Sequence, residues 1–324
     1  MKKISAIVLL ILVCAGPAVS RAADKIKIAM GYIPNVQFAP YYAAKKLGYF
    51  ERENLDVVFD YGFATDIMSL VASGQVDFGV SDSDQVILAR ERGIPIKVIY
   101  TMYVRYPVGI VSRRELGIRD VAGLRGRKIG TPVPYGSNFI GLRLLLKNED
   151  MDLDDIVISY IGYTQIETLL AGRVDAAVVF INNEPVVLEH MGIEVDLIEA
   201  YKITPMVSAA VIASENMIDR NPDLVRRFVR AVTSGARYGL ENPDEVLDLI
   251  RSEIPTITDG NQAVNEKVLK ASMELWMDED SEGTGLGYTT LEDWKSSVRM
   301  MRSLGLLKKE VDPAGCFTNK FIVR

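Results

Sequence analysis

The chain has 324 residues, 48% hydrophobic and 25% charged, with a formal charge of −6. This is ordinary globular composition, long enough for two cores, and it leaves no low-complexity segment of any size. The acidic balance argues against nucleic acid or an anionic membrane surface as a partner.

The first residues read as an export signal. Lys2 and Lys3 precede an apolar run over residues 4–15, and small residues follow. Ser20-Arg21-Ala22 fits the small-x-small cleavage rule, so cleavage is expected after Ala22, with Ser20 as the alternative. The run is too short for a transmembrane helix. Lipidation at Cys14 is the other option, although Val13 stands where a lipoprotein signal carries a small residue. Loss of Lys2, Lys3 and Arg21 moves the formal charge to −9. Cys316 is then the one cysteine left, so no internal disulfide is expected in the exported chain. The expected location is the periplasm or the outer face of the membrane.

The mature chain opens with βα rhythm. Residues 25–30 (KIKIAM) alternate as a strand, and Gly31-Tyr32-Ile33-Pro34-Asn35 breaks it. Residues 38–47 suit a short helix with Gly48 at its end. Residues 55–59 follow as a strand, then a helix capped by Thr65 or Asp66 and ending at Gly74. Residues 77–80, 85–92 and 96–101 continue as strand, helix, strand. A second unit begins near Ser112. Its strands are expected at 128–130, 156–160 and 175–180. Its helices are expected from Ser137 or Asn138 to Lys147, from a Thr164/Glu167 capping box to Gly172, and over 184–190. After a strand at 207–213, helices dominate: 223–241 behind Asn221-Pro222, then one to Glu253, 265–277 and 290–304.

Much of this is said twice. LVASGQVDFGV from Leu70 is echoed by LLAGRVDAAVV from Leu169, with Gly74, Val76, Asp77 and Val80 matching Gly172, Val174, Asp175 and Val178. A period near one hundred residues is no solenoid. It predicts an α/β chain with two similar lobes, mainly parallel sheets, and a ligand cleft between them. The expected division is 23–106 plus 205–324 for the first lobe and 107–204 for the second. The late helices pack on the first lobe.

Ligands of parallel α/β sheets sit at the carboxyl ends of the strands. The loops there carry Tyr32, Asn35, Phe38, Phe63, Asp66, Asp82, Asp84, Tyr135, Gly136, Ser137, Asn138, Tyr163, Asn182, Asn183 and Glu184, and neither Arg nor Lys. The rings offer flat apolar faces; the rest offer hydrogen bonds. Asp82 and Asp84 are either ligand groups or caps of the next helix, and Tyr32 and Phe38 either ligand or core rings. Asp77 and Asp175, recurring at a strand start, read as structural. A sulfonate, nitrate or phosphate site would want cations or free N–H groups. The loops instead favour a neutral or cationic flat ligand.

Catalytic signatures are missing. His190, the one histidine, sits late in a helix, and there is no HExxH, CxxC or Gly-rich phosphate loop. The acidic run Asp278, Glu279, Asp280, Glu282 lacks the spacing of a calcium loop and reads as a solvated turn. No cofactor is expected.

GYIPNVQFAPYYAAKKLGYFERENLDV resembles the N-terminal stretch of extracytoplasmic solute-binding proteins of ABC importers. Within that group it is most similar to the branch that binds thiamin-precursor pyrimidines and riboflavin. The RVDAAVVFINNEPV segment and the closing FTNKF continue the likeness over nearly all of the mature chain. The resemblance implies a type II periplasmic binding protein fold: a monomer that closes on a small ligand and delivers it to a membrane permease, without chemistry. It also implies contacts from Tyr32, Asn35, Asp82, Tyr135, Gly136, Ser137, Asn138 and Glu184. Where the pyrimidine binders carry an aspartate-tryptophan pair, this chain has Gly31-Tyr32, and GSNFIGLRLLL and DSDQVILAR look closer to the riboflavin branch. An anion receptor of the alkanesulfonate, taurine or nitrate type is the alternative. A third is an enzyme like the thiamin-pyrimidine synthases of the same superfamily, whose cysteine-rich segment and active-site histidine this chain lacks.

Overall fold

A computed structural model describes residues 22–61, 66–277 and 283–323. Residues 1–21 of the expected export signal, Phe63, Thr65 and the acidic run at 278–282 lie outside the described residues.

The first half of the chain builds β1 (Asp24–Ala29), α1 (Ala39–Lys46), α2 (Tyr49–Arg52), β2 (Leu55–Asp60), α3 (Ile67–Ser73), β3 (Phe78–Asp82), α4 (Ser83–Glu91) and β4 (Ile96–Thr101). The chain then crosses to β5 (Val108–Arg113), β6 (Lys128–Thr131), α5 (Gly136–Asn148), β7 (Val157–Tyr160), α6 (Gln165–Leu170), β8 (Ala176–Phe180), α7 (Glu184–His190) and β9 (Val195–Glu199). It returns through β10 (Ala209–Ser214) and ends in α8 (Glu215–Arg220), α9 (Pro222–Glu241), α10 (Val246–Ile250), α11 (Gln262–Met273) and α12 (Leu291–Ser303).

Two five-stranded sheets result, ordered β2-β1-β3-β10-β4 and β7-β6-β8-β5-β9. The orders are the same once the repeat is numbered from its own first strand. In each sheet one antiparallel strand is inserted between the third and fourth strands of the repeat, and it is the strand that has just crossed over: β5 against β8 and β9, β10 against β3 and β4. The remaining pairs are parallel. Sequence patterning did not anticipate β5. Pro107 opens it, and its Val108, Ile110 and Val111 are all buried, an apolar run without alternation.

The repeated aspartates explain the echo. Lys27 N–H donates to Asp77 Oδ2 at 2.8 Å, and Asp77 N–H donates back to the Lys27 carbonyl at 2.9 Å. In the second lobe Lys128 N–H donates to Asp175 Oδ2 at 2.8 Å, and Asp175 N–H returns the bond, also at 2.8 Å. Each aspartate ties the entry of a third strand to the backbone of a first strand. Gly74 and Gly172, at φ +75° and +63°, turn the chain just before them.

The late helices pack mainly on the first lobe. α9 lies along α1 so closely that a Cβ on Gly235 would stand 2.0 Å from the Pro40 carbonyl oxygen. Phe228 on its buried face stacks on Phe78, with ring centroids 4.1 Å apart. α12 buries Trp294, which stacks on Phe317. Two bonds then reach the other lobe: Arg143 of α5 donates to the Leu304 carbonyl, and Asn182 Nδ2 donates to Ser272 Oγ of α11 at 2.8 Å. The Thr164/Glu167 capping box does not form. Thr164 Oγ1 instead donates to the Ile161 carbonyl at 2.7 Å and lies 2.9 Å from Thr168 Oγ1, closing its own turn.

Candidate functional site

The carboxyl ends of the parallel strands of both sheets meet at one cleft of about 270 Å³. That is at the small end of ligand pockets. Of the residues expected there, Tyr32, Phe38, Asp82, Tyr135, Gly136, Ser137, Asn138, Tyr163, Asn183 and Glu184 line it. Three do not: two are occupied by local hydrogen bonds, and the third is buried. Asn35 accepts the Gln37 N–H and starts a short 3₁₀ turn. Asp66 caps α3, accepting from Ser69 N–H and Ser69 Oγ. Asp84 is fully buried behind the cleft wall. Asn182 is likewise buried, and its Nδ2 donates to Ser272 Oγ.

Other lining residues carry no sequence signal of their own. Met102 and Tyr103 belong to the first crossing, and only the folded crossing brings them under the cleft. Gln37 and Gln165 each lie near a named loop residue, and adjacency to Asn35 and Thr164 was the available hint.

The two lobes touch at two levels. Near the mouth, the rings of Tyr32 and Tyr163 meet edge to face with centroids 6.0 Å apart. Deeper, Ser137 Oγ at the first turn of α5 lies 2.7 Å from Asp82 Oδ2 and 2.9 Å from Asp84 Oδ1. Asp82, at the N-cap position of α4, makes no side-chain capping bond. Tyr135 stays 69% exposed beside the opening, held there by its extended backbone just ahead of Gly136 at φ +76°.

Burial raises all three acids. Desolvation first, then the neighbouring Asp84 charge, lifts Asp82 above the usual carboxylate range, while the Ser137 hydroxyl partly offsets this. Asp84 is raised by desolvation against hydrogen bonds from Ser137, Gln85 and Tyr106. Asp82 keeps part of its surface open to the cleft; Asp84 does not. Glu184, at the start of α7, is pushed up to about 7 by desolvation, although its Oε2 accepts the Phe180 N–H at 3.0 Å. No Lys or Arg is among the residues lining the cleft. Asn138 Oδ1 is buried and has no hydrogen-bond partner among the described residues. His190 is exposed at the far end of α7.

Two lobes of matching topology, joined by paired crossings around a ring-lined cleft, are the periplasmic binding protein fold. Solved structures agree: the alkanesulfonate-binding protein SsuA of Xanthomonas axonopodis bound to MOPS superposes with a TM-score of 0.69 at 14% identity, covering 92% of this chain and 99% of that one. The nitrate-binding protein NrtA of Synechocystis superposes at 0.67, also with 14% identity, covering 92% and 87%.

The chain belongs to the NMT1/THI5 like family, whose model matches residues 35–246. It is 35% identical to the riboflavin-binding protein RibY of Chloroflexus aurantiacus, over 98% of this chain and 95% of that protein. It is 25% identical to the formylaminopyrimidine-binding protein of Halalkalibacterium halodurans, over 98% of each. It is 23% identical to the 4-amino-5-hydroxymethyl-2-methylpyrimidine phosphate synthase of Legionella pneumophila, over 94% of each.

Proposed function

We propose that this chain is the solute-binding component of an ABC importer. It captures a flat nitrogen-heteroaromatic vitamin or precursor, riboflavin foremost, and hands it unchanged to a membrane permease. The observation that carries this reading is the chemistry of the cleft wall: six rings (Tyr32, Phe38, Tyr103, Tyr135, Tyr163 and Phe180), the carboxyls of Asp82 and Glu184, and no cation. Rings stack on a planar ligand, and near neutral pH raised carboxyls offer both O–H donors and acceptor oxygens. The unpartnered Asn138 Oδ1 suits an N–H of such a ligand. A small oxyanion finds no Lys or Arg countercharge in this cleft wall.

The riboflavin-binding relative supports the first ligand. The pyrimidine reading is kept second because of Gly31. Its φ is +73°, and a Cβ there would stand 2.7 Å from the Val80 carbonyl oxygen. The aspartate of the pyrimidine binders therefore has no room in this backbone. The lobe division follows the crossings, with 23–106 plus 205–324 against 107–204, and the chain segments near 104–107 and 204–208 serve as the hinge.

The test is an absorption spectrum of the protein purified from its native compartment, followed by fluorescence titration with riboflavin, formylaminopyrimidine and a small sulfonate. A bound flavin spectrum or saturable quenching by riboflavin supports the reading. Binding of the sulfonate alone would replace it with an anion receptor, and disappearance of bound ligand over time would indicate an enzyme.

A further inference from the structure

Asp82 and Asp84 lie on the first lobe, at the junction of β3 and α4, whereas Ser137 begins α5 on the second. Both carboxyls reach the same hydroxyl: Ser137 Oγ is 2.7 Å from Asp82 Oδ2 and 2.9 Å from Asp84 Oδ1. Tyr106, on the first crossing, completes the group. Its hydroxyl lies 3.0 Å from Asp84 Oδ2 and 2.8 Å from the Ser137 main-chain oxygen. Asp84, Tyr106 and Ser137 are buried, so water does not stand in for a missing partner.

Counting protons defines the state of this group. Four short oxygen–oxygen contacts need one proton each, and the two hydroxyls bring one apiece. The Ser137 carbonyl can only accept, so the Tyr106 proton is committed there. The contact between Tyr106 and Asp84 Oδ2 then needs a proton on Asp84. Ser137 can donate to one carboxyl only. If it donates to Asp84 Oδ1, the Asp82 contact needs a proton on Asp82. With one unshared proton in each contact, the geometry is that of two neutral carboxylic acids.

We propose that the Asp82–Ser137–Asp84–Tyr106 group is a proton-operated latch that ties the two lobes together when both acids are neutral and releases them when they ionise. The latch rests on the two-lobe trap described above, not on the identity of its ligand. Ionisation leaves two carboxylates competing for one hydroxyl proton, and separating α5 from the β3–α4 junction lets water solvate both. The titratable groups facing the pair are phenols: Tyr103 and Tyr106 from the first crossing and Tyr163 from the loop after β7. No ion pair links either carboxyl to Lys or Arg among the described residues, so no cation holds the charged form in place. Burial raises both acids in the direction that the geometry requires. Asp82, partly open to the cleft, is the site of proton exchange with solvent.

The test measures the distance between the lobes in ligand-free protein. Spin labels on Glu51→Cys and Glu149→Cys, both exposed, report on the two lobes, while the buried Cys316 stays unlabelled. Pulsed electron spin resonance is read from pH 5 to pH 9. The closed population should fall with rising pH, its ratio to the open form changing by up to about tenfold per pH unit for each proton released. Asp82→Asn/Asp84→Asn places N–H donors where the acids carry O–H, and should stay closed at pH 9. Ser137→Ala should be more open at pH 5 than the wild-type chain. A pH-independent distance in the wild-type chain overturns the latch, as does an undiminished pH response in the double amide. If the double amide does not fold by circular dichroism, Ser137→Ala decides: a pH response as steep as the wild type overturns the latch, and a flattened one supports it. Because no ligand is added, failure of riboflavin to bind would not alter these outcomes.

Discussion

Tyr32 and Tyr163 face each other across the mouth of the cleft, one ring from each lobe, with an interplanar angle of 62° and centroids 6.0 Å apart. Tyr163 is nevertheless 66% exposed, so the pair spans the opening rather than a packed interior. Such edge-to-face pairs contribute about 0.5–1.5 kcal/mol beyond the area they bury. Tyr163→Ala should therefore weaken ligand binding and shorten ligand residence. The dissociation rate by stopped-flow fluorescence checks this, and an unchanged rate would leave the pair without a gating role.

Tyr135 tests stacking separately from gating, because no ring contact holds it in the described structure and most of its surface is open. Tyr135→Ala should weaken ligand binding by about 1–3 kcal/mol, the scale of losing one stacked ring. Calorimetric titration measures it, with the thermal midpoint of the free protein expected to stay the same.

Glu184 links pH to stability. Its folded pKa is raised to about 7 against an ordinary 4.5, so the native chain holds a proton that the unfolded chain releases earlier. The sign follows from proton counting: stability declines as pH rises between these two values and is lowest above both. Glu184→Gln keeps an oxygen to accept the Phe180 N–H and removes the titration. With discounting for cleft solvent, it should be more stable than wild type by about 1–3 kcal/mol at pH 8, and nearly equal to it below pH 4.5. Urea unfolding at several pH values checks the slope; parallel curves for the two proteins would remove Glu184 as its source.

The paired aspartates offer a comparison internal to the chain. Asp77→Ala and Asp175→Ala each strand a first-strand N–H, that of Lys27 or Lys128. Each should cost about 1–2 kcal/mol, and the two costs should be close to one another. Ligand affinity should hold in both, since neither residue lines the cleft.

Gly235 tests the docking of the late helices. A methyl there would meet the Pro40 carbonyl oxygen at 2.0 Å, and the contact is backbone on one side. Gly235→Ala should destabilise the first lobe by about 1–3 kcal/mol or more, as overpacking does. Thermal unfolding followed by circular dichroism measures it.

The α/β class, the repeat and most elements were legible in the sequence because they are local. Strand and helix periods, the Asp66 cap and the glycines that end α3 and α6 each depend on a few neighbouring residues. The loops that carry the cleft were legible for the same reason, since a βα chain places its loops at strand ends. What Asn35 and Asp84 do with their side chains was not, because a polar atom's partner can lie two residues or fifty-three away. The tertiary structure alone decided that β5 and β10 insert antiparallel between the third and fourth strands of the repeat in their sheets, and that Met102 and Tyr103 lie under the cleft. It also decided that two aspartates read as either ligand groups or caps would share one serine from the other lobe. Composition and spacing constrain what a segment can form; which distant groups meet, and which must give up water together, is settled when the two lobes pack.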